Sequence, residues 1–311
     1  MKYRKLGHTG LDVSVLALGG SSLGGAFGAI DEAEGIRAVH AAIDGGINLI
    51  DTAPYYGQTR AEVVLGRALR EIPRERYVLA TKVARYGAEQ RDFDFSAERV
   101  TRSVDESLGR LGLETIDFIQ VHDIEFGSID QIVEETIPAL RRIQAAGKVR
   151  YVGISGLPVK LFAEVMERVE VEQVQSYCHY CLHDTQLAEI LPYLKGKGVA
   201  VFNSAPLAMR LLSDEGPPEW HPAPAELKSK CAEAAAYCRR RGASLSNLAL
   251  QFSTANLEID TNIVGAADAK RVEENIRVVG DPLDEELLTA VREILRPVRD
   301  VTWQSGRVEN N

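Results

Sequence analysis

The sequence predicts one α/β domain over residues 1–311, a (β/α)8 TIM barrel with an N-terminal hairpin and a C-terminal tail over the barrel mouth. Eight short apolar runs rich in β-branched residues alternate with longer helical patterns along the chain. Most of these runs are apolar almost throughout, as expected for parallel strands that are covered on both faces. No repeat or low-complexity tract divides the chain, and single barrels often exceed the ordinary domain length.

The predicted strands follow one another at the spacing of βα units. Their ranges are 13–19, 48–53, 77–83, 116–122, 149–155, 171–177, 199–205 and 262–266. Residues 3–6 and 12–14 form the predicted hairpin that precedes the barrel. The Pro- and Gly-rich stretch 216–222 predicts a long ordered loop, because proline removes backbone donors and breaks helices.

The predicted helices show one apolar face each. After Ser96, apolar residues recur at intervals of three and four, at Val100, Val104, Leu108 and Leu111. A similar pattern follows Ser128, at Val133, Ile137 and Leu140. Ser128 with Gln131, and Thr59 with Glu62, fit the spacing of a capping box, which predicts helix starts there.

The charge balance excludes two classes of partner. The chain has 36 Lys and Arg against 45 Asp and Glu, a formal net charge of −9. Without a basic excess, we expect neither a nucleic-acid partner nor binding to an anionic membrane surface. No stretch reaches the length of a membrane-spanning helix, no targeting segment is visible, and four cysteines do not resemble a disulfide scaffold. We therefore expect a cytoplasmic protein.

Four side chains with acid–base chemistry lie where predicted strands end, which is where barrels place their active sites. They are Asp51, Tyr56, Lys82 and His122. Together they predict proton transfer to or from an oxygen, with Tyr56 as general base and His122 orienting that oxygen. Tyr56 needs a pKa lowered by about 2–3 units for this role. A lysine about 4 Å away supplies about 4 kcal/mol at an effective dielectric constant of about 20, and Asp51 holds that lysine.

These residues stand in motifs that resemble the aldo-keto reductase family. The motifs are Asp-Thr-Ala-Pro-Tyr-Tyr-Gly at 51–57, Ala-Thr-Lys at 80–82 and the strand that ends at His122, with Gly-Ile-Ser at 153–155. The resemblance implies that the four residues form a catalytic tetrad. It also implies a nicotinamide dinucleotide across the barrel mouth without a Rossmann domain. The glycine-rich stretch 19–25 indeed does not fit the G-x-G-x-x-G spacing.

The resemblance also implies which residues contact the cofactor. They are Gly20, Ser21, Ser155, Gln175, Ser204, Ala205, Pro206, Leu207, Gly265, Arg271, Glu274 and Asn275. The helix that begins near Asp268 offers backbone N–H groups for phosphate. Ala266 and Ala267 stand where relatives that prefer NADP carry a basic residue, so we expect NAD rather than NADP. Two positions depart from the family pattern. Gly156 replaces an asparagine, and Cys178, between Tyr177 and Tyr180, replaces the tyrosine that stacks on nicotinamide.

Several long segments resemble the aldose dehydrogenases of the family, which oxidise the anomeric carbon of a sugar to the lactone with NAD. These segments are 93–100, 122–128, 176–180 and 216–223. L-Galactose is the sugar that the resemblance implies. Candidate contacts to this small-molecule sugar are Tyr86, Asp123, His179 and Trp303, the last because aromatic rings stack on sugar faces.

Other functions remain open at this point. Within the family, a general aldehyde reductase and an L-fucose-like dehydrogenase are the nearest alternatives, followed by a nucleotide-binding regulatory subunit. A lysine at a strand end also fits a Schiff-base aldolase, although the spacing from Asp51 to Tyr56 gives no reason to expect one. Cys178 and Cys181 form a C-x-x-C, but no second pair accompanies them, so we predict no metal site.

Overall fold

A closed barrel of eight parallel strands forms the centre of the protein. The computed structural model describes all 311 residues. The barrel strands are β3 (Leu16–Gly19), β4 (Leu49–Asp51), β5 (Val78–Val83), β6 (Ile116–Val121), β7 (Val149–Gly156), β8 (Gln173–Tyr177), β9 (Ala200–Ser204) and β10 (Thr261–Gly265). They pair in chain order, and β10 closes the barrel against β3. The predicted fold class is confirmed.

The predicted hairpin is also confirmed, and it closes the bottom of the barrel. Strands β1 (Tyr3–Lys5) and β2 (Asp12–Ser14) pair antiparallel outside the barrel sheet. The first predicted run, 13–19, therefore contains the end of the hairpin as well as β3. Leu6 and Val13 of the hairpin pack with Phe118 and Phe202 of the barrel interior. This apolar layer fills the lower half of the barrel, so only the upper end is left for a site.

A helical layer surrounds the strands. The helices are α1 (Glu32–Asp44), α2 (Arg60–Leu69), α3 (Ala97–Leu111), α4 (Ile129–Gln131), α5 (Ile137–Ala145), α6 (Lys160–Met166), α7 (Leu187–Gly196), α8 (Ala225–Arg240), α9 (Leu245–Ala255), α10 (Ala269–Gly280) and α11 (Glu285–Leu295). A π-helical segment, Ile132–Thr136, joins α4 to α5. Helices α8 and α11 pack on each other outside the eightfold βα repeat. None of the helices combines the length and apolar composition needed to cross a membrane.

The capping predictions have different outcomes. Ser128, which the sequence paired with Gln131, accepts a hydrogen bond from the Gln131 N–H and is the N-cap of α4. Ser96, where no cap was predicted, caps α3 in the same way by accepting from the Arg99 N–H.

The helix start predicted from Thr59 and Glu62 is confirmed, since α2 begins at Arg60. The capping box itself was wrong, because Thr59 adopts a left-handed conformation (φ 77°) and makes no side-chain cap. Glu62 is instead fully buried, where Thr81 donates to it at 2.6 Å and Arg110 pairs with it at 2.7 Å. Glu62, which the local pattern assigned to a cap, therefore forms a tertiary ion pair with Arg110 instead.

The C-terminal tail lies across the barrel mouth. After α11, Asp300 accepts from the backbone N–H of Thr185 at 2.9 Å, in the loop that follows β8. Further along, the Asn310 side chain donates to the carbonyl groups of Glu125 and Gly127, at 2.8 and 3.0 Å, in the loop after β6. The tail is thus hydrogen-bonded to two loops at the carboxyl ends of the strands, as the sequence predicted.

Candidate active site

A buried ion pair lies at the centre of the barrel's upper half. Residues at alternate positions of a strand point to the same face, so Asp51 at the end of β4 and Lys82 in β5 both point into the barrel. The Lys82 ammonium donates to both carboxylate oxygens of Asp51, at 2.6 and 2.7 Å, and to the Thr52 carbonyl oxygen at 2.8 Å. Both side chains are almost fully buried. Three hydrogen bonds to one ammonium give the lysine a single position.

Two glutamines complete the surroundings of the Asp51 carboxylate. Gln120 of β6 and Gln175 of β8 approach its oxygens at 3.3 and 3.5 Å. Gln175 was predicted from the sequence as a cofactor contact, whereas Gln120 was not predicted. Strand alternation could have found it, because Gln120 lies two residues before His122 and therefore faces the same interior.

Tyr56 and His122 lie next to the ion pair. The Tyr56 and His122 rings meet edge to face, with centroids 5.8 Å apart. The Lys82 Nζ atom is 5.2 Å from the centre of the Tyr56 ring. The structure therefore brings together all four residues that the sequence placed in the tetrad.

The pKa of Tyr56 differs from the expectation. Burial raises it well above 10, and the negative charge of Asp51 acts in the same direction. We had expected Lys82 to lower this pKa, but Asp51 binds the ammonium directly and neutralises its field. In the protein alone, Tyr56 is a protonated phenol.

His122 is neutral for a related reason. Burial lowers its pKa well below 6.5, and the positive charges of Lys82 and Arg85 lower it further. Its Nδ1 atom is buried and has no hydrogen-bond partner in the protein. A neutral imidazole can donate one hydrogen bond to a substrate oxygen without becoming a competing acid.

Asp123 and Arg85 form a second ion pair beside His122. The Asp123 carboxylate is 3.7 Å from the His122 Nε2 atom, and the Arg85 guanidinium stacks on the Tyr55 ring at 3.8 Å. Asp123 was a sequence candidate for sugar contact, whereas Tyr55 was not. A charged pair next to the tetrad suits recognition of hydroxyl groups.

The candidate cofactor residues follow neighbouring strands. Because β9, β10 and β3 are adjacent in the barrel, the predicted contacts at Ser204–Leu207, Gly265–Asn275 and Gly20–Ser21 lie along one side of the mouth. Ser155 and Gln175, on β7 and β8, lie nearer the tetrad. These residues fit a nicotinamide carboxamide, because the Gln175 Oε1 and Ser204 Oγ atoms are buried without a hydrogen-bond partner in the protein.

The start of α10 carries two carboxylates. Asp268 accepts from the Arg271 N–H at 2.8 Å, and Glu34 of α1 accepts from the Ala269 N–H at 3.2 Å. These two N–H groups, which the sequence analysis had considered for phosphate, are thus already bonded. Arg271 pairs with Glu274 and with Glu215 of the loop after β9, at 3.4 and 3.9 Å.

The remaining sugar candidates lie apart from the tetrad. Tyr86 packs under the Arg99 guanidinium of α3, at 3.7 Å, and accepts from the Ala84 N–H. His179 is buried in the loop after β8, with its Nδ1 atom 3.0 Å from Asp184. Trp303 of the tail meets the ring of His221 edge to face at 5.2 Å. Of the four candidates, the structure brings only Asp123 into contact with a tetrad residue.

The tyrosines beside Cys178 point to different places. Tyr180 stacks on Phe252 of α9, with centroids 5.4 Å apart, whereas the Tyr177 hydroxyl donates to Glu125 at 3.1 Å. Burial raises the pKa of the Cys178 and Cys181 thiols, which are not bonded to each other. No three His, Cys, Asp or Glu side chains are arranged to hold a metal ion.

Comparisons with known proteins agree with this geometry. The model of the Aldo/keto reductase family matches residues 15–296. The chain is 48% identical to L-galactose dehydrogenase of Arabidopsis thaliana, over 100% of this chain and 99% of that protein. It is 34% identical to D-arabinose 1-dehydrogenase of Saccharomyces cerevisiae, over 78% and 75% of the two chains. Among solved structures, the aldo-keto reductase AKR11C1 from Bacillus halodurans superposes with a TM-score of 0.77, at 28% identity over 98% of both chains.

Proposed function

The chain belongs to the aldo/keto reductase family, and within that family we propose that it oxidises the anomeric carbon of L-galactose to the lactone with NAD. The observation that carries this proposal is the 48% identity to an L-galactose dehydrogenase over the full chain. A second sugar dehydrogenase, acting on D-arabinose, is 34% identical. The buried tetrad supplies the groups that such an oxidation needs.

We propose the following roles for the four residues. Tyr56 takes the proton of the anomeric hydroxyl as the C–H hydrogen leaves with its electron pair, and the carbon–oxygen double bond of the lactone forms. His122, held neutral by burial, orients the same oxygen by a hydrogen bond. Lys82, held by Asp51, lies 5.2 Å from the centre of the Tyr56 ring and positions that ring for the proton transfer. A nicotinamide held at this mouth would supply the hydride acceptor, and its positive charge would lower the pKa of the Tyr56 phenol.

The residues available for the cofactor suit NAD. Gln175 and Ser204 would hold the carboxamide, with Ser155 beside them, and the loops after β9, β10 and β3 would hold the remainder. NADP carries a further phosphate on its adenosine ribose. Asp268 at the start of α10, and Glu34 of α1 bound to that helix start, would repel that phosphate. Asp123 and Arg85 would contact sugar hydroxyls next to the reacting carbon.

The direct test is the initial rate of nicotinamide reduction with L-galactose, using NAD and NADP in parallel. We expect turnover with NAD and a lower kcat/KM with NADP. An NADP preference would overturn the cofactor assignment. No turnover with either cofactor, on protein shown to bind NAD, would remove the sugar assignment.

A general aldehyde reductase is the second candidate, and the raised pKa of Tyr56 favours it. A phenol that keeps its proton is suited to donate it to a carbonyl oxygen. Oxidation of NADH with small aldehydes, measured beside L-galactose oxidation, separates the two. A kcat/KM for aldehydes above that for the sugar would make reduction the main activity.

A further inference from the structure

Glu125 connects four parts of the barrel mouth and has no role in the proposed chemistry. It lies in the loop after β6, three residues from His122, and is fully buried. Its Oε1 atom accepts from the Leu157 N–H at 3.3 Å, from the Tyr177 hydroxyl at 3.1 Å and from the Ser305 hydroxyl at 2.9 Å. One oxygen therefore joins the loop after β6 to the end of β7, the end of β8 and the C-terminal tail.

The tail also binds the backbone of the same residue. The Glu125 carbonyl oxygen accepts from the Arg307 N–H at 2.9 Å and from the Asn310 side chain at 2.8 Å. Gly306, which directly precedes Arg307, has φ 77°, and a Cβ atom there would overlap the Glu125 carbonyl. The tail thus approaches Glu125 more closely than any residue with a side chain allows.

Tyr177 connects this network to the reaction site. It is two residues after Gln175 on β8, so it faces the same interior one layer nearer the mouth. Gln175 contacts the Asp51 carboxylate. The Tyr177 ring therefore forms part of the wall above the tetrad.

Stability does not account for a carboxyl at this position. No lysine, arginine or histidine pairs with Glu125, and its Oε2 atom is buried without a partner. Burying such a group costs free energy that an apolar side chain would not. Burial and the nearby Asp123 raise the pKa of Glu125 to about 8, so the neutral acid predominates at pH 7. Gly156 makes room for it, since a Cβ atom there would lie 2.7 Å from Oε2.

We propose that Glu125 is a positioning residue for the substrate, which fixes Tyr177 and the C-terminal residues 303–311 together as one wall of the sugar pocket. This inference rests on the proposed function for the identity of the substrate. The attachment of the tail to Glu125 does not depend on it.

The test compares Glu125→Ala with Glu125→Gln at pH 7. The glutamine side chain keeps an acceptor oxygen and is uncharged, like the neutral carboxylic acid. Alanine removes the acceptor oxygen and the rest of the polar group. In Glu125→Ala we expect the sugar KM to rise by about tenfold or more, with kcat and the Kd for NAD changed by less than about threefold. Amide hydrogen exchange in residues 305–311 should accelerate by at least about tenfold. In Glu125→Gln we expect the sugar KM and the exchange rate of residues 305–311 to stay close to the wild-type values.

Three further variants make the result specific. Tyr177→Phe should raise the sugar KM while leaving exchange in the tail nearly unchanged. Glu286→Gln alters an exposed carboxylate of α11, outside the tail and away from the barrel mouth network, and should change neither property. If Glu125→Ala fails to fold, Gly156→Ala displaces the carboxyl group without removing it, and it should act in the same direction.

Several outcomes would overturn the inference. Folded Glu125→Ala with the wild-type sugar KM would do so, even if exchange in the tail were faster, because Glu125 would then only anchor the tail. Unchanged exchange would overturn the attachment itself. If the wild type does not turn over L-galactose, the proposed function fails separately, and the KM for the aldehyde that it reduces replaces the sugar KM in the same comparison.

Discussion

Lys82 is the residue on which the geometry of the site depends. Its ammonium is buried and bound to the Asp51 carboxylate and to the Thr52 carbonyl group. Removing one partner of such a pair costs about 3–5 kcal/mol, because the other charge stays buried. The pair therefore holds its members in one arrangement, and Tyr56 and His122 pack against it.

Tyr56 is the residue whose loss tests the proton-transfer step. Phenylalanine keeps the ring that packs against His122 and removes the hydroxyl group. In Tyr56→Phe we expect kcat to fall by about 10²–10⁴-fold, because general acid–base catalysis contributes about that factor. The Kd for NAD should change by less than about twofold, as measured by fluorescence titration.

Tyr55→Phe is the matched control for this change. Its ring stacks on Arg85 rather than on Lys82, so we expect kcat to fall by less than about tenfold. Retained turnover in Tyr56→Phe would exclude Tyr56 as the general base.

At the scale of elements, the site is built where strands turn into loops. Ala84, Asp123, Cys178 and Ala205 all have positive φ, and each lies within two residues of a strand end, after β5, β6, β8 and β9. Positive φ in residues other than glycine costs free energy and concentrates at functional sites. Four such turns on the same end of the barrel mark that end as the functional one.

The packing of α2 on α3 provides a test of the helical layer. A Cβ atom at Gly66 of α2 would overlap the backbone of Arg110, whereas one at Gly109 of α3 would meet nothing within 4 Å. We expect Gly66→Ala to lower the free energy of unfolding by about 1–3 kcal/mol through overpacking. Gly109→Ala should raise it by about 0.5–1 kcal/mol, because alanine restricts the unfolded chain and favours the helix.

Urea unfolding of Gly66→Ala and Gly109→Ala measures both changes in the free energy of unfolding. Equal effects of the two substitutions would contradict the close approach of α2 to α3.

The start of α10 provides the test of cofactor choice. Asp268→Asn keeps an N-cap side chain and removes its negative charge. We expect the ratio of kcat/KM for NADP to that for NAD to rise by about two- to fivefold, since repulsion between a carboxylate and a phosphate about 4 Å apart in water-like surroundings is worth about 1 kcal/mol. Asp284→Asn changes the equivalent N-cap of α11 and should leave the ratio unchanged. If the ratio of kcat/KM for NADP to that for NAD is the same in both variants, the start of α10 does not contribute to the choice of cofactor.

At the scale of the whole molecule, the tail and the hairpin close the two ends of the barrel. Leu6 and Val13 fill the lower end, and the tail crosses the upper end between the loops after β8 and β6. The buried groups beneath the tail titrate far from their usual range, so the stability of the protein depends on pH. Burial raises the pKa of Glu125 to about 8 and lowers that of His183 to about 4.

The pH dependence of Glu125 has a definite sign. Between its unfolded pKa of about 4.3 and about 8, the folded protein binds more protons than the unfolded chain. Stability therefore falls as pH rises through that range. Relative to Glu125→Gln, we expect the wild type to lose stability between about pH 5 and pH 8 and to level off above it. His183 acts oppositely, with stability lost as pH falls from about 6.5 towards 4.

Urea midpoints of the wild type and Glu125→Gln at pH 5, 6, 7 and 8 measure the difference directly, because His183 is common to both. Parallel pH profiles would show that Glu125 is ionised normally in the folded protein.

Strand positions and the tetrad were predictable from sequence because both depend on local patterns. Each barrel strand is an apolar run of a few residues, and Asp51, Lys82 and His122 occur where such runs end. Since all parallel strands of a closed barrel end on one side, these residues had to converge. The same alternation of side chains would have identified Gln120.

Tertiary structure alone decided the properties that depend on distant partners. The Thr59–Glu62 spacing fits a cap, yet Glu62 pairs with Arg110, which is 48 residues away. The pKa of Tyr56 rises because the folded barrel buries it and because Asp51 neutralises Lys82. Glu125 meets Ser305 across 180 residues of chain. Burial and charge pairing depend on neighbours that are distant in the sequence and meet only in the folded chain. A local sequence pattern therefore cannot predict them.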